Sequence, residues 1–234
     1  RKATIERFAS RKELPKEGPQ APLVPGAVDA LLLAAERYGK LGRDRLMAPS
    51  IETAGRGFIV SENLHGVLRN NDARLKRFPT TVNTWYRNGE PLRMGNVLKQ
   101  PELQRTFRTI AESGRDGFYR GPVAKAMTQF LKAQDGLLEL EDFAEFSAHE
   151  DTPLHIHYKG YDLYGCPPNS HGHVMLQALN ILEGFDLKSM GHNSAAYQHH
   201  VAEALKLCFA DREKYVGDPR FIKDIPLKEM LSKE

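Results

Sequence analysis

Hydrophobic positions along this chain recur mostly at helical spacing, interrupted by glycine and proline, and alternate clearly in only one stretch. In "VPGAVDALLLAAERYGKLG", Val28, Leu31, Leu32, Ala35 and Tyr38 share one stripe, which predicts a helix ended by Gly39. A second helix is expected from Leu46 to Ala54, with Pro49 kinking or delaying it. Ser61 should cap a third that carries Leu64, Val67 and Leu68 inward. Leu103, Phe107, Ile110 and Ala111 mark a helix ending near Gly114. Val123, Met127, Phe130 and Leu131 mark the next, with Pro122 in its first turn. Between them, Asn88-Gly89 predicts a tight turn in "TWYRNGEPL", and "LELEDFAEF" a turn running into a brief helix.

The alternating stretch is "LHIHYKGYDLYG". Leu154, Ile156 and Tyr158 face one way, His155 and His157 the other, and Lys159-Gly160 turns the hairpin. The chain then passes "CPPNSHG" into a helix at 174–184 that is apolar on nearly every side. Ser194 should cap a long helix whose inward face is Tyr197, Val201, Ala204, Leu205 and Cys208. Residues 1–22, rich in charge and proline, read as an extended arm or linker, and 23–234 as the folded segment. Many helices with few strands imply a helix-rich α/β fold.

Composition narrows the function classes. A net charge of +3, with Lys and Arg interleaved among Asp and Glu, lacks the one-signed stripe of a nucleic-acid surface. The longest apolar run, Ala30 to Ala35, is far short of a membrane span. The first residues show no positive-then-apolar leader, and no compartment is indicated. Cys166 and Cys208 have no CxxC partner and read as small buried hydrophobes.

Candidate chemistry is sparse. His155 with His157, His171 with His173, and His199 with Glu203 have zinc-like spacings. No HExxH motif or cysteine pair accompanies them, so neither metal nor cofactor is expected. GxSxG elbows and phosphate loops are absent too. Asp211 and Arg212 suggest a local ion pair, and Gly217-Asp218-Pro219 a stop after the helix. The turn at Asn169, Ser170, His171 and Gly172 is the one candidate for substrate contact. It lies at a helix N-terminus, where free N–H groups and the helix dipole favour a carboxylate or oxyanion. The bland alternative, which the residues favour, is that Asn169 or Ser170 merely caps the helix.

Four segments in this order, "VPGAVDAL", "RTIAESGRDGFYRGPVAKAM", "YKGYDLYGCPPNSHGHVMLQALNILEGFDL" and "HHVAEALKLCFADREKYVGDPRF", resemble the later large-subunit part of the γ-glutamyltranspeptidase family, over residues 23–234. The family turn commonly has three prolines, two serines and two glycines. Cys166 through Gly172 vary it in a way that resembles the bacterial branch holding cephalosporin-acylase-like members. The resemblance implies the helix-rich large-chain portion of an N-terminal-nucleophile hydrolase αββα fold. It implies an enzyme that moves the γ-glutamyl group of glutathione and related amides through an acyl-threonine. It also implies self-cleavage, no cofactor, and a small-subunit partner whose first residue is the nucleophilic threonine, leaving no catalytic residue in this chain. The alternatives are a β-lactam side-chain acylase or other amidohydrolase on the same scaffold, or a non-enzymatic helical binding module.

Overall fold

The computed structural model describes residues 2–233. The chain divides into two compact units, one ending at His149 and one beginning at Glu150.

The first unit opens with a short helix, α1 (Ile5–Phe8), in an arm held by polar contacts. Arg7 and Gln20 both reach Asp135, and Glu17 accepts from Arg74 and Arg77. Helix α2 (Ala27–Tyr38) ends at Gly39 as expected, and α3 (Arg43–Arg56) follows. Pro49 does not delay α3, which starts six residues before it and runs through it. A two-residue strand, β1 (Phe58–Ile59), leads to α4 (Glu62–Asn70), where the Ser61 hydroxyl accepts from the Leu64 N–H at 3.2 Å. After α5 (Asp72–Leu75) and α6 (Pro79–Trp85), β2 (Tyr86–Arg87) and β3 (Glu90–Pro91) form the small hairpin. Its turn residues Asn88 and Gly89 both have positive φ, 52° and 79°. Strand β4 (Val97–Leu98) pairs antiparallel with β1, and Val60, Leu68, Leu92 and Leu98 pack together beside them.

Helix α7 (Pro101–Tyr119) breaks at Gly114, where φ 57° and ψ −138° leave the helical region. A Cβ there would lie 2.5 Å from the Arg43 guanidinium, which donates to the carbonyls of Ala111 and Glu112 at 2.7 and 2.9 Å. Arg43 thereby satisfies carbonyls orphaned by the break. Helix α8 (Pro122–Lys132) and α9 (Leu140–Glu145) complete the unit around Ile110, Phe118, Tyr119, Ala124 and Phe143.

Helix α2 packs Val28 and Leu32 of its predicted face against the core but leaves the rest of the stripe less buried. Leu31 and Tyr38 are 71% and 69% exposed, whereas Asp29 is buried. The cause is a polar clasp. Asp29 receives Arg115 Nε at 3.1 Å and the Ala148 N–H at 2.7 Å. Its own N–H donates to the Tyr119 hydroxyl, which donates in turn to the Pro25 carbonyl. Arg115 also donates to the Phe146 carbonyl and lies over the Tyr119 ring. A buried carboxylate with this many partners is tolerated, and it ties the start of α2 to Arg115 and Tyr119 of α7.

The second unit begins with the hairpin of β5 (Leu154–Tyr158) and β6 (Tyr161–Gly165), in the register His157↔Asp162. Ile156 is buried and the two histidines are exposed, matching the expected alternation. Helix α10 (Gly172–Glu183) packs on α11 (Ala195–Tyr215) through Val174, Ala178 and Cys208. The Ser194 hydroxyl caps α11 by accepting from the Tyr197 N–H at 3.1 Å. A last short helix is α12 (Leu227–Met230).

Candidate active-site turn and its helix

Strand β6 delivers the chain into the turn at Cys166, and a backbone bond from the Ser170 N–H to the Pro167 carbonyl (3.0 Å) closes it. The helix begins at Gly172, so the N-cap position falls on His171, with no side-chain cap bond. The expected cap by Asn169 or Ser170 therefore does not form. The reason is register. A Cβ on Gly172 would lie 2.3 and 2.4 Å from the Cys166 carbonyl oxygen and nitrogen, so only glycine lets the helix start on the strand exit. That contact fixes the N-cap position at His171, one residue beyond Ser170.

Asn169 and Ser170 are exposed instead, and with Asp151, Tyr164, Cys166 and Pro168 they line an open depression of about 490 Å³. His171 and Gly172 do not line it. Two exposed hydrogen-bonding side chains beside a twelve-residue helix N-terminus can hold a carboxylate or a developing oxyanion. Cys166, expected to be buried, is exposed at the rim, whereas Cys208 is enclosed. Burial, reinforced by Asp211, pushes the Cys208 thiol up to about 11, which unsuits it for nucleophilic work.

Beneath the turn, His173 is fully enclosed, and neither ring nitrogen has a partner. Burial pushes its pKa below the ordinary value. The Ser170 backbone, outside hydrogen-bonding geometry, opposes that shift, and His171 and Arg212 add to it. On the hairpin, His155 Nε2 and His157 Nδ1 lie 2.8 and 3.4 Å from one Asp162 oxygen. Those contacts hold the Asp162 carboxyl below its usual range, His155 contributing most. Among the described residues no three His, Cys, Asp or Glu side chains are arranged to hold a metal.

Several polar roles escape a sequence reading. Gln177 Nε2 donates to Asp211 at 2.6 Å, so Asp211 does not make the expected pair with Arg212, which meets Glu213 instead. Asn180 donates to the Leu231 carbonyl, and Glu183 accepts from the Lys159 N–H and from Lys233. The "LNILE" stretch thus pins the hairpin turn and residues 231–233. Its signal was present as polar residues at 173, 177 and 180, spaced along one face of an apolar helix.

Comparison with known proteins identifies what the chain is similar to. The glutathione hydrolase proenzyme of Escherichia coli is 37% identical over 211 residues, covering 89% of this chain and 36% of that protein. The acylase ACY 1 proenzyme of Pseudomonas sp. (strain SE83) is 36% identical over 217 residues, covering 92% and 39%. This chain therefore spans less than two fifths of the length of these curated relatives. The crystal structure of Helicobacter pylori γ-glutamyltranspeptidase superposes with a TM-score of 0.89 at 27% identity, over 95% of this chain and 64% of that one. The helix-rich α/β architecture is thus that of the large-chain portion of an N-terminal-nucleophile hydrolase. The family model for γ-glutamyltranspeptidase matches residues 1–234, and the chain belongs to the γ-glutamyltranspeptidase family.

Proposed function

We propose that this chain is large-subunit sequence of an enzyme that hydrolyses or transfers the γ-glutamyl group of glutathione and related amides. The observation that carries this reading is the family match over the whole chain, joined to the close superposition on a solved γ-glutamyltranspeptidase. The nucleophile is a threonine at the head of a second chain, produced when a proenzyme is cut. Its hydroxyl attacks the γ-carbonyl while its own α-amino group takes the proton. The amine of the substrate leaves with a proton, and water or an acceptor amine then releases the acyl group from the ester. Within this chain, Asn169, Ser170 and the N-terminus of α10 with His171 and Gly172 are proposed to border the substrate. Exposed apolar side chains in the second unit, Phe221 at 80% and Leu207 at 59%, support burial against a partner subunit.

A second reading, hydrolysis of an acyl side chain from a β-lactam, is favoured by the variant turn and by similarity to the acylase proenzyme. The test is to compare kcat/KM of the complete protein for glutathione and for an acylated cephalosporin. Preference for glutathione is expected, and the reverse preference establishes the acylase reading.

A further inference from the structure

Residues 2–22 form the arm of the first unit, and none of them is buried. Phe8, Pro15 and Pro19 are half-buried, and Ile5 and Leu14 are 85% and 67% exposed, so apolar packing contributes little to its placement. Charge holds it instead. Arg7 Nη2 donates to both oxygens of Asp135 at 3.1 Å, and Gln20 Nε2 donates to Asp135 Oδ2 at 2.8 Å. Residues 7 and 20 thus meet at one carboxylate between α8 and α9, which closes the segment between them into a loop. Arg11 tightens the same neck by donating to Gln20 Oε1 at 2.9 Å. A second carboxylate anchors the body of the loop. Glu17 accepts from Arg74 Nε of α5 at 2.9 Å and from Arg77 just beyond that helix.

Exposed ion pairs are individually weak and are screened by salt. Here two carboxylates carry nearly all of the loop's attachment, so few atoms decide whether it stays down. The rest of the unit is held differently. Ile110, Phe118, Tyr119, Ala124 and Phe143 pack as an apolar cluster, which salt does not screen. Attachment of the loop and folding of the unit therefore respond to different conditions, which is what a releasable strap requires.

We propose that residues 7–20 are a strap latched by charge, which lifts from the first unit when Asp135 and Glu17 lose their hold while the unit beneath stays folded. The proposal goes beyond the γ-glutamyl reading and does not depend on it.

The test is limited tryptic digestion of the complete protein, with cleavage after Arg11, Lys12 and Lys16 followed by mass spectrometry. Each rate is divided by that of a free peptide of residues 7–20, carrying the same substitution, at the same salt. Cleavage of a segment that opens and closes rapidly tracks the population of its open form. Raising NaCl from about 0.1 M to about 1 M shortens the screening length from about 10 Å to about 3 Å and should speed cleavage severalfold. Asp135→Asn, which tolerates the positive φ of that position, and Glu17→Gln should each speed it about fivefold at the lower salt. The double variant should lose the salt dependence, and the urea midpoint of all three should stay that of the unaltered protein. Cleavage indifferent to salt would overturn the proposal. So would single variants cut no faster than the unaltered protein, a double variant that keeps the full salt dependence, or faster cutting matched by a fall in urea midpoint.

Discussion

Replacing Asp29 by alanine tests the polar clasp that orients α2. The carboxylate is 10% exposed and holds both Arg115 and the Ala148 N–H, so truncation leaves one cation and one backbone donor without their partner. Breaking a fully buried ion pair by removing one member costs about 3–5 kcal/mol. Arg115 is 30% exposed and keeps the Phe146 carbonyl, so hydration reduces the expected loss to about 2–4 kcal/mol. At about 2–4 °C per kcal/mol for a chain of this size, the melting temperature should fall by roughly 4–16 °C. Asp29→Asn keeps an acceptor for the Ala148 N–H and should cost about half as much. Leu31→Ala, at a position the hydrophobic pattern marks as core but the structure exposes, should stay within about 0.5 kcal/mol. Urea unfolding of the three variants measures this directly. If Asp29→Ala were neutral, or Leu31→Ala as damaging as Asp29→Ala, the clasp argument would fail.

Three further outcomes follow from the second unit. Because burial lowers the His173 pKa in the folded state, the unfolded chain takes up a proton that the folded one resists. Stability from this group is complete above about pH 6.5, the unfolded value, and declines as pH falls below it. His173→Leu should flatten that part of a urea-midpoint-against-pH curve, and an unaltered slope would show that His173 is not its source. Gly172→Ala forces a Cβ into the Cys166 backbone and should destabilise by about 1–3 kcal/mol in chemical denaturation, unlike Gly66→Ala inside α4, whose added Cβ meets no atom within 4 Å. Asn169→Ala should lower kcat/KM of the complete protein by roughly tenfold, one hydrogen bond to a charged group, with little change in melting temperature. Equal loss in both would reduce Asn169 to a structural role.

Local chemistry was legible in the sequence at several helix caps and hairpin turns. Ser61 and Ser194 cap their helices through i to i+3 contacts, and Asn88-Gly89 and Lys159-Gly160 turn their hairpins with positive φ at both positions. Gly39 and Gly114 likewise mark real breaks. What the pattern missed depends on partners distant along the chain. Asp29 outranks Leu31 for burial because Arg115 and Ala148 come to it from about ninety and one hundred and twenty residues away. At the candidate site, the turn itself was visible, but the helix register was set by Gly172 packing on Cys166, so the expected Asn169 or Ser170 cap was displaced. Asp211 beside Arg212 suggested a pair, yet Gln177 on another helix claims the carboxylate.

The account rests on a division of labour between two chains. Purified residues 1–234 and the complete protein should be assayed side by side for release of aniline from a γ-glutamyl anilide, with the acyl-enzyme trapped and mapped by mass spectrometry. The complete protein should turn over and carry the acyl group on the N-terminal threonine of its second chain, and residues 1–234 alone should release nothing above background. Sustained turnover by residues 1–234, or an acyl group found on Ser170, Cys166 or any other residue of this chain, would contradict the account.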